Sequence, residues 1–292
     1  SEEDGDIDFY VIYATCKAVD WLNASVYWMY IRDGGSLNDT NFVAPIEWLE
    51  DIFNLDDYNP TNMHTVGARL FGNAASFDYD LELAYQFGNA DSVGFGFKPT
   101  GFLYGDDDAD FDAWAGDLEV GYSIEMAWNP RVYIGGAYFE GEDNRDLTFL
   151  EWLNPFYRSE ASVSFNRMFP GKPYSMILEI GQDMSNFWQI RGGVTAHPTE
   201  AVTTGLQVAL FGVDETFDAP VTISAGPLKI PVAPALSFWT DESSGDIGVT
   251  AHAYVYYQYS EDLYFKLGWE HLFTGDGLED GNFIHRYGLE FS

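Results

Sequence analysis

Positive charge is scarce in this chain: 13 Lys and Arg stand against 47 Asp and Glu, a formal net charge of -34. Such an excess repels a phosphate backbone and excludes nucleic acid as a partner. Cysteine is scarcer still. Cys16 is alone, so neither a disulfide framework nor a thiolate metal site can be built within the chain. An inert thiol, buried or facing lipid, is the expectation for it. No run of about 18 apolar residues occurs, which excludes a transmembrane helix. Catalytic signatures are missing as well. There is no GxSxG, HExxH, P-loop or CxxC, and His64, His197, His252, His271 and His285 are scattered. His252 and Asp or Glu pairs on the lumen faces could be cast as acid–base groups, but no nucleophile constellation accompanies them. The chain is expected not to be an enzyme.

Aromatic residues are plentiful, at 17% with 19 Tyr, 23 Phe and 9 Trp. That content argues against a disordered acidic chain and suits the aromatic girdles of a membrane barrel. The arrangement of apolar residues is more telling. In LYFKLGWEHLF, Leu263, Phe265, Leu267 and Trp269 take every second position, with Tyr264, Lys266, Gly268 and Glu270 between them. A period of two with one apolar face is a half-buried strand. After FTGDGLEDGN the pattern resumes, Phe283, Tyr287, Leu289 and Phe291 alternating with Arg286, Gly288 and Glu290. Runs of about ten such residues match a tilted strand crossing a bilayer, apolar side to lipid and polar side to a watery lumen.

The same alternation recurs along the chain. It gives strands at Ile7–Thr15, Ser25–Arg32 and Met63–Gly72, and a clean one at Phe77–Phe87, where Phe77, Tyr79, Leu81, Leu83, Tyr85 and Phe87 oppose Asp78, Asp80, Glu82, Ala84 and Gln86. Trp114–Met126, Val132–Phe139, Ala161–Phe169, Met176–Asp183, Trp188–Ala196, Val202–Phe211 and Ile247–Gln258 follow. The fold expected is all-β: a transmembrane, antiparallel, up-and-down β-barrel of about thirteen strands in this chain. Short turns (NPR, PGKP, HPTE, YSED) alternate with long loops, as periplasmic turns alternate with extracellular loops in outer-membrane barrels. An odd count cannot close such a barrel, so N-terminal strands are expected to be missing from a single barrel domain over 1–292. A strand hidden in Ser92–Phe102 or Val221–Phe238 is the competing account. The opening SEEDGDIDF has no signal peptide, and processing or truncation is expected to have removed one.

Two loops invite a closer reading. Within Asp33–Thr61, Pro45, Ile46, Leu49, Ile52 and Phe53 fall at helical spacing. They read as a short amphipathic helix that folds inward as a constriction, or as a loop packed on its own side chains. In GDDDADFD, Asp106, Asp108, Asp110 and Asp112 alternate. Their carboxylates could converge on Ca²⁺, although the glycine and terminal glutamate of an EF-hand are missing and a solvated acidic loop is the plainer reading. No other cofactor is expected.

FDYDLELAYQFG and DAWAGDLEVGYSIEMAWNPRVYIGGAYFEGEDN resemble the alginate-export family of outer-membrane porins. LNPFY, HPTEAVTTGLQVALFGVDE and YFKLGWEHLFTGDG look like its final hairpins, so the resemblance runs over roughly Asn62 to Phe291. It implies a bacterial outer-membrane location among lipid and lipopolysaccharide, a monomeric barrel of about eighteen strands, and a basic lumen that carries a polyuronate. The charges here depart from that pattern. Alternation puts Arg69, Arg191, Lys266 and Arg286 in the lumen, along with Asp78, Asp80, Glu82, Asp117, Glu119, Glu125, Glu179, Asp183, Glu270 and Glu290. Carboxylate rings favour cations and repel a polyanion. The bases read either as a guide for solute or as braces for the acidic wall.

The function expected is an outer-membrane porin for passive diffusion of small hydrophilic solutes, cations among them. The alternatives are a polyuronate exporter, or a sheath around a periplasmic or multihaem cytochrome partner, whose haem another subunit would bring. A soluble acidic β-sandwich or solenoid is a third class, distinguished by solubility without detergent.

Overall fold

The computed structural model describes residues 7–19, 21–33, 61–89, 95–97, 103–105, 110–142, 162–168, 173–179, 184–216, 221–225, 228–233, 244–261, 263–278 and 284–291. Its strands are β1 (Ile7–Val19), β2 (Leu22–Asp33), β3 (Thr61–Ala74), β4 (Phe77–Asn89), β5 (Phe95–Phe97), β6 (Leu103–Gly105), β7 (Asp110–Ser123), β8 (Arg131–Phe139), β9 (Ser162–Val163), β10 (Phe187–Thr199), β11 (Val202–Val213), β12 (Val221–Ala225), β13 (Leu228–Ala233), β14 (Asp246–Gln258), β15 (Tyr264–Thr274) and β16 (Ile284–Phe291). One 12-stranded sheet takes them in the order β1-β2-β3-β4-β7-β8-β10-β11-β14-β15-β16, with β9 joined to β7. Every neighbouring pair along that path is antiparallel, while β9 meets β7 in parallel. This is the up-and-down order that alternation predicts. β5 with β6, and β12 with β13, form separate two-stranded sheets, so the hidden strands considered for Ser92–Phe102 and Val221–Phe238 are short hairpins off the main sheet.

Period two decides the faces. On β4, Phe77, Leu83 and Phe87 are exposed, while Ala84 and Gln86 are buried. β7 repeats this, with Trp114, Leu118, Val120 and Tyr122 outward and Phe111, Ala113 and Ala115 buried. The outer face therefore carries large apolar side chains in the open, the inverse of a water-soluble protein. Its aromatics form two bands. Near the long loops, Tyr10, Tyr30, His64 and Phe87 stack across four strands at centroid distances of 6.0, 4.4 and 5.0 Å. Near the short turns, Phe77 meets Tyr122 at 4.8 Å and Tyr257 meets Tyr259 at 6.4 Å. Cys16 is exposed and shares the outer side of β1 with Tyr10 and Ile12.

Among the described residues, two expected strands do not form. Of Ala161–Phe169 only the two residues of β9 are strand, and Met176–Glu179 is a turn. These pieces of the β8–β10 connection lie instead on the inner face, where Phe165 and Tyr174 join a core with Phe139, Phe187, Phe211, Ala84, Ala113, Ala115, Ala137 and Ala209. Among the described residues of Met176–Asp183, Met176–Glu179 packs on the inner face of the sheet and joins no neighbouring strand. The main path thus has fewer strands than the count from sequence. Asp33–Thr61, where an inward helix was expected, lies almost wholly outside the described residues.

Candidate functional site

The inner face around β3, β4, β7, β8 and β10 carries a lattice of ion pairs. Arg69 on β3 donates to Asp80 through Nε at 2.8 Å and through Nη2. Arg131 on β8 donates to Asp78 through Nε at 2.8 Å and to Glu119 through Nη2 at 3.1 Å. Arg191 on β10 reaches Asp117 with both terminal nitrogens at 2.9 Å and Glu119 at 3.1 and 3.2 Å. Glu119 thus links Arg131 to Arg191. The exposures separate these pairs: the Arg191 side chain is 2% exposed and the Arg69 and Asp80 side chains are both 40%.

Glycines let these arms cross a strand. Arg131 and Asp78 are separated by β7, and Gly121 lies beneath the arm. A Cβ on Gly121 would stand 2.3 Å from Arg131 Nε. Gly135 lies between Arg191 and the β7 carboxylates, and a Cβ there would come within 3.1 Å of the guanidinium. Tyrosines use the same device. Tyr27 passes over Gly67 to donate to Glu82 at 2.8 Å, and Tyr133 passes over Gly193 to donate to Gln207 at 2.9 Å. The inner glycines are gaps that allow a side chain to bond two strands away.

The infolded β8–β10 connection is fastened to this face by buried polar groups. The Gln86 amide pairs with the Asn166 backbone like a strand neighbour, donating to its carbonyl at 2.9 Å and accepting from its N–H at 2.7 Å. Gln86 also donates to Thr65 at 3.1 Å. Glu270 on β15, 1% exposed, accepts from the Ser175 hydroxyl at 2.7 Å and from the Met176 N–H. Within the connection, Glu179 pairs with Arg167 and accepts from the Tyr174 N–H at 2.6 Å. Burial, with Asp117 beside it, raises the Tyr174 phenol above its ordinary value. A cavity of about 460 Å³ remains between the connection and the wall, lined by Tyr13, Tyr27, Arg69, Asp80, Glu82 and Asp117 among others.

The predicted lumen residues fall as follows. Arg69, Asp78, Asp80, Glu82, Asp117, Glu119, Arg191, Lys266 and Glu270 lie on the inner face. Glu179 is there too, carried by the infolded connection and not by a wall strand. Glu125 is a correction. β7 ends at Ser123, and Glu125 sits exposed in a turn closed by Ile124 N–H to Pro130 O at 2.9 Å and Asn129 N–H to Met126 O at 3.0 Å. Trp128 and Asn129 take positive φ of 74° and 43° there, so the alternation cannot continue through them. Asp183 lies outside the described residues, and of Arg286 and Glu290 only the backbone is described, opposite Glu270 and Lys266. Asp110 and Asp112 stand on the outer side of β7, where Asp112 accepts from Tyr85 at 2.7 Å. Asp106 and Asp108 lie outside the described residues. Among the described residues no three His, Cys, Asp or Glu gather as metal ligands.

Arg131 and Arg167 were not foreseen. Arg131 shares the parity of inward Tyr133, a signal that was available once β8 is started one residue earlier. Arg167 had no usable signal, because its segment mimics a strand.

Exposed apolar girdles outside, a charged face inside and up-and-down connectivity define an outer-membrane β-barrel wall. The family model described as alginate export matches residues 1–283, and the chain belongs to that family; its place is the bacterial outer membrane. No curated protein matches the chain. Among solved structures it is similar to the FrpB iron transporter from Neisseria meningitidis, at 9% identity and a TM-score of 0.37, over 94% of this chain and 34% of that one. It is also similar to the copper transporter OprC, at 10% identity and a TM-score of 0.36, over 98% of this chain and 48% of that one. A third is the P. putida toluene transporter TodX, at 10% identity and a TM-score of 0.30, over 98% of this chain and 68% of that one. The chain thus spans about a third of the length of the first of these.

Proposed function

We propose that this chain forms wall of a diffusion channel for small hydrophilic solutes, with a preference for cations. The observation that carries the reading is the pairing of the inner face. Arg69, Arg131, Arg167 and Arg191 are each held by carboxylates, so the bases act as braces and not as a free basic track. The acids outnumber them along the same wall, and a lumen with that balance attracts cations and slows polyanions.

Polyuronate export is the second reading, favoured by family membership. One experiment separates the two: the full-length protein in a planar bilayer, with reversal potential read under a KCl gradient, before and after adding polyuronate. A potential of the sign set by K⁺, and no block by polyuronate, is the expected result. Anion selectivity with polyuronate block would replace the first reading by the second.

A further inference from the structure

We infer that the cavity containing Glu82 is a subsite for small organic cations carrying a primary ammonium group, held by the Glu82 carboxylate and the Tyr13 and Tyr27 rings. The inference rests on the channel reading above and gives it a solute class. It begins with how the charges around the cavity are matched. Arg69 faces Glu82 across the strand pair, yet turns its guanidinium to Asp80. Arg167 is taken by Glu179. Arg191, arriving from β10, is taken by Asp117 and Glu119. Glu82 differs, since its hydrogen bond comes from the neutral Tyr27 hydroxyl at 2.8 Å and Arg69 acts on it only through space. The cavity therefore holds bases that are already matched and one carboxylate fixed by a neutral donor.

A carboxylate has about four lone-pair sites, so one phenol leaves acceptor capacity for an incoming donor. Beside it, Tyr13 and Tyr27 lie nearly parallel, centroids 6.2 Å apart and 8° between planes. Tyrosine faces attract a cation by their quadrupole and pack against methylenes. The volume of about 460 Å³ lies within the range of about 300–1,000 Å³ usual for small-molecule sites. An anion entering here would meet Asp80, Glu82 and Asp117, while Arg69 and Arg167 on the same lining are already paired.

Cadaverine, a linear diamine, is the probe, and the uncharged diol of the same chain length is its control. The full-length protein in detergent is titrated by calorimetry, and the same preparation in a planar bilayer is tested for block of K⁺ current. Cadaverine is expected to bind and to reduce current, and the diol to do neither. Glu82→Gln is expected to weaken cadaverine about tenfold or more, the scale of a lost charged hydrogen bond. Tyr27→Phe should weaken it less. Glu125→Gln removes the same charge from a turn outside the cavity and should leave the affinity unchanged. Heat-modifiable gel mobility reports whether each variant is folded. No binding of cadaverine, or equal losses from Glu82→Gln and Glu125→Gln, would overturn the subsite. Conductance without cadaverine binding removes the subsite and leaves the channel; binding without conductance keeps the subsite and removes the channel.

Discussion

Arg191 and Arg69 make the same kind of contact in different surroundings, and their variants should differ accordingly. Arg191 is almost fully buried between Asp117 and Glu119, and removing it takes the guanidinium from Asp117 and leaves Glu119 with Arg131 alone. Arg191→Met is expected to cost about 3–5 kcal/mol, the usual penalty for an uncompensated buried charge. Arg69 and Asp80 both keep 40% of their side-chain surface in water, and Arg69→Ala should cost about 1 kcal/mol or less. Urea unfolding of the two variants in lipid vesicles, followed by tryptophan fluorescence, measures both. Comparable losses would mean that the Arg191 site is as well hydrated as the Arg69 site.

At the scale of elements, the described pieces of the β8–β10 connection cover part of the inner face of the wall. Gln86, fully buried, holds the connection through the Asn166 backbone, and Gln86→Ala leaves that backbone without its partners. The expected outcome is a larger and noisier single-channel current, with the cation preference retained. An unchanged current would mean that the packing of Phe165 and Tyr174 is enough to hold the connection in place. This element also marks where sequence stopped being informative. Strands whose two faces meet different media are legible, because lipid and water impose opposite residues at every second position, as in Phe77–Phe87. The connection meets protein instead, and Phe165, Tyr174 and Ile177 are buried by packing on the inner face, so apolar residues there read as short strands without two media to impose the pattern. The charge lattice was half legible. Parity placed Arg69, Asp80, Asp117, Glu119 and Arg191 on one face, but which base takes which acid depends on glycine gaps at Gly121 and Gly135, and no local pattern announces those.

For the molecule as a whole, the deciding claim is that the outer face meets hydrocarbon. Leu118 stands near the middle of β7, 45% exposed, and Val132 lies close to the short-turn end of β8, 43% exposed. The two are alike in exposure and differ in depth, so depth alone should separate their arginine variants. A bilayer charges about 2–4 kcal/mol for arginine at its midplane and about 0–1 near its interface. Leu118→Arg is therefore expected to destabilise the protein by the larger amount and Val132→Arg by the smaller, read by urea titration of folding into lipid vesicles. In water an outward arginine at either position would cost little, and the two variants would be indistinguishable. A depth-dependent difference can come only from a medium that changes along the strand, which is what the two aromatic bands at the ends of these strands already imply.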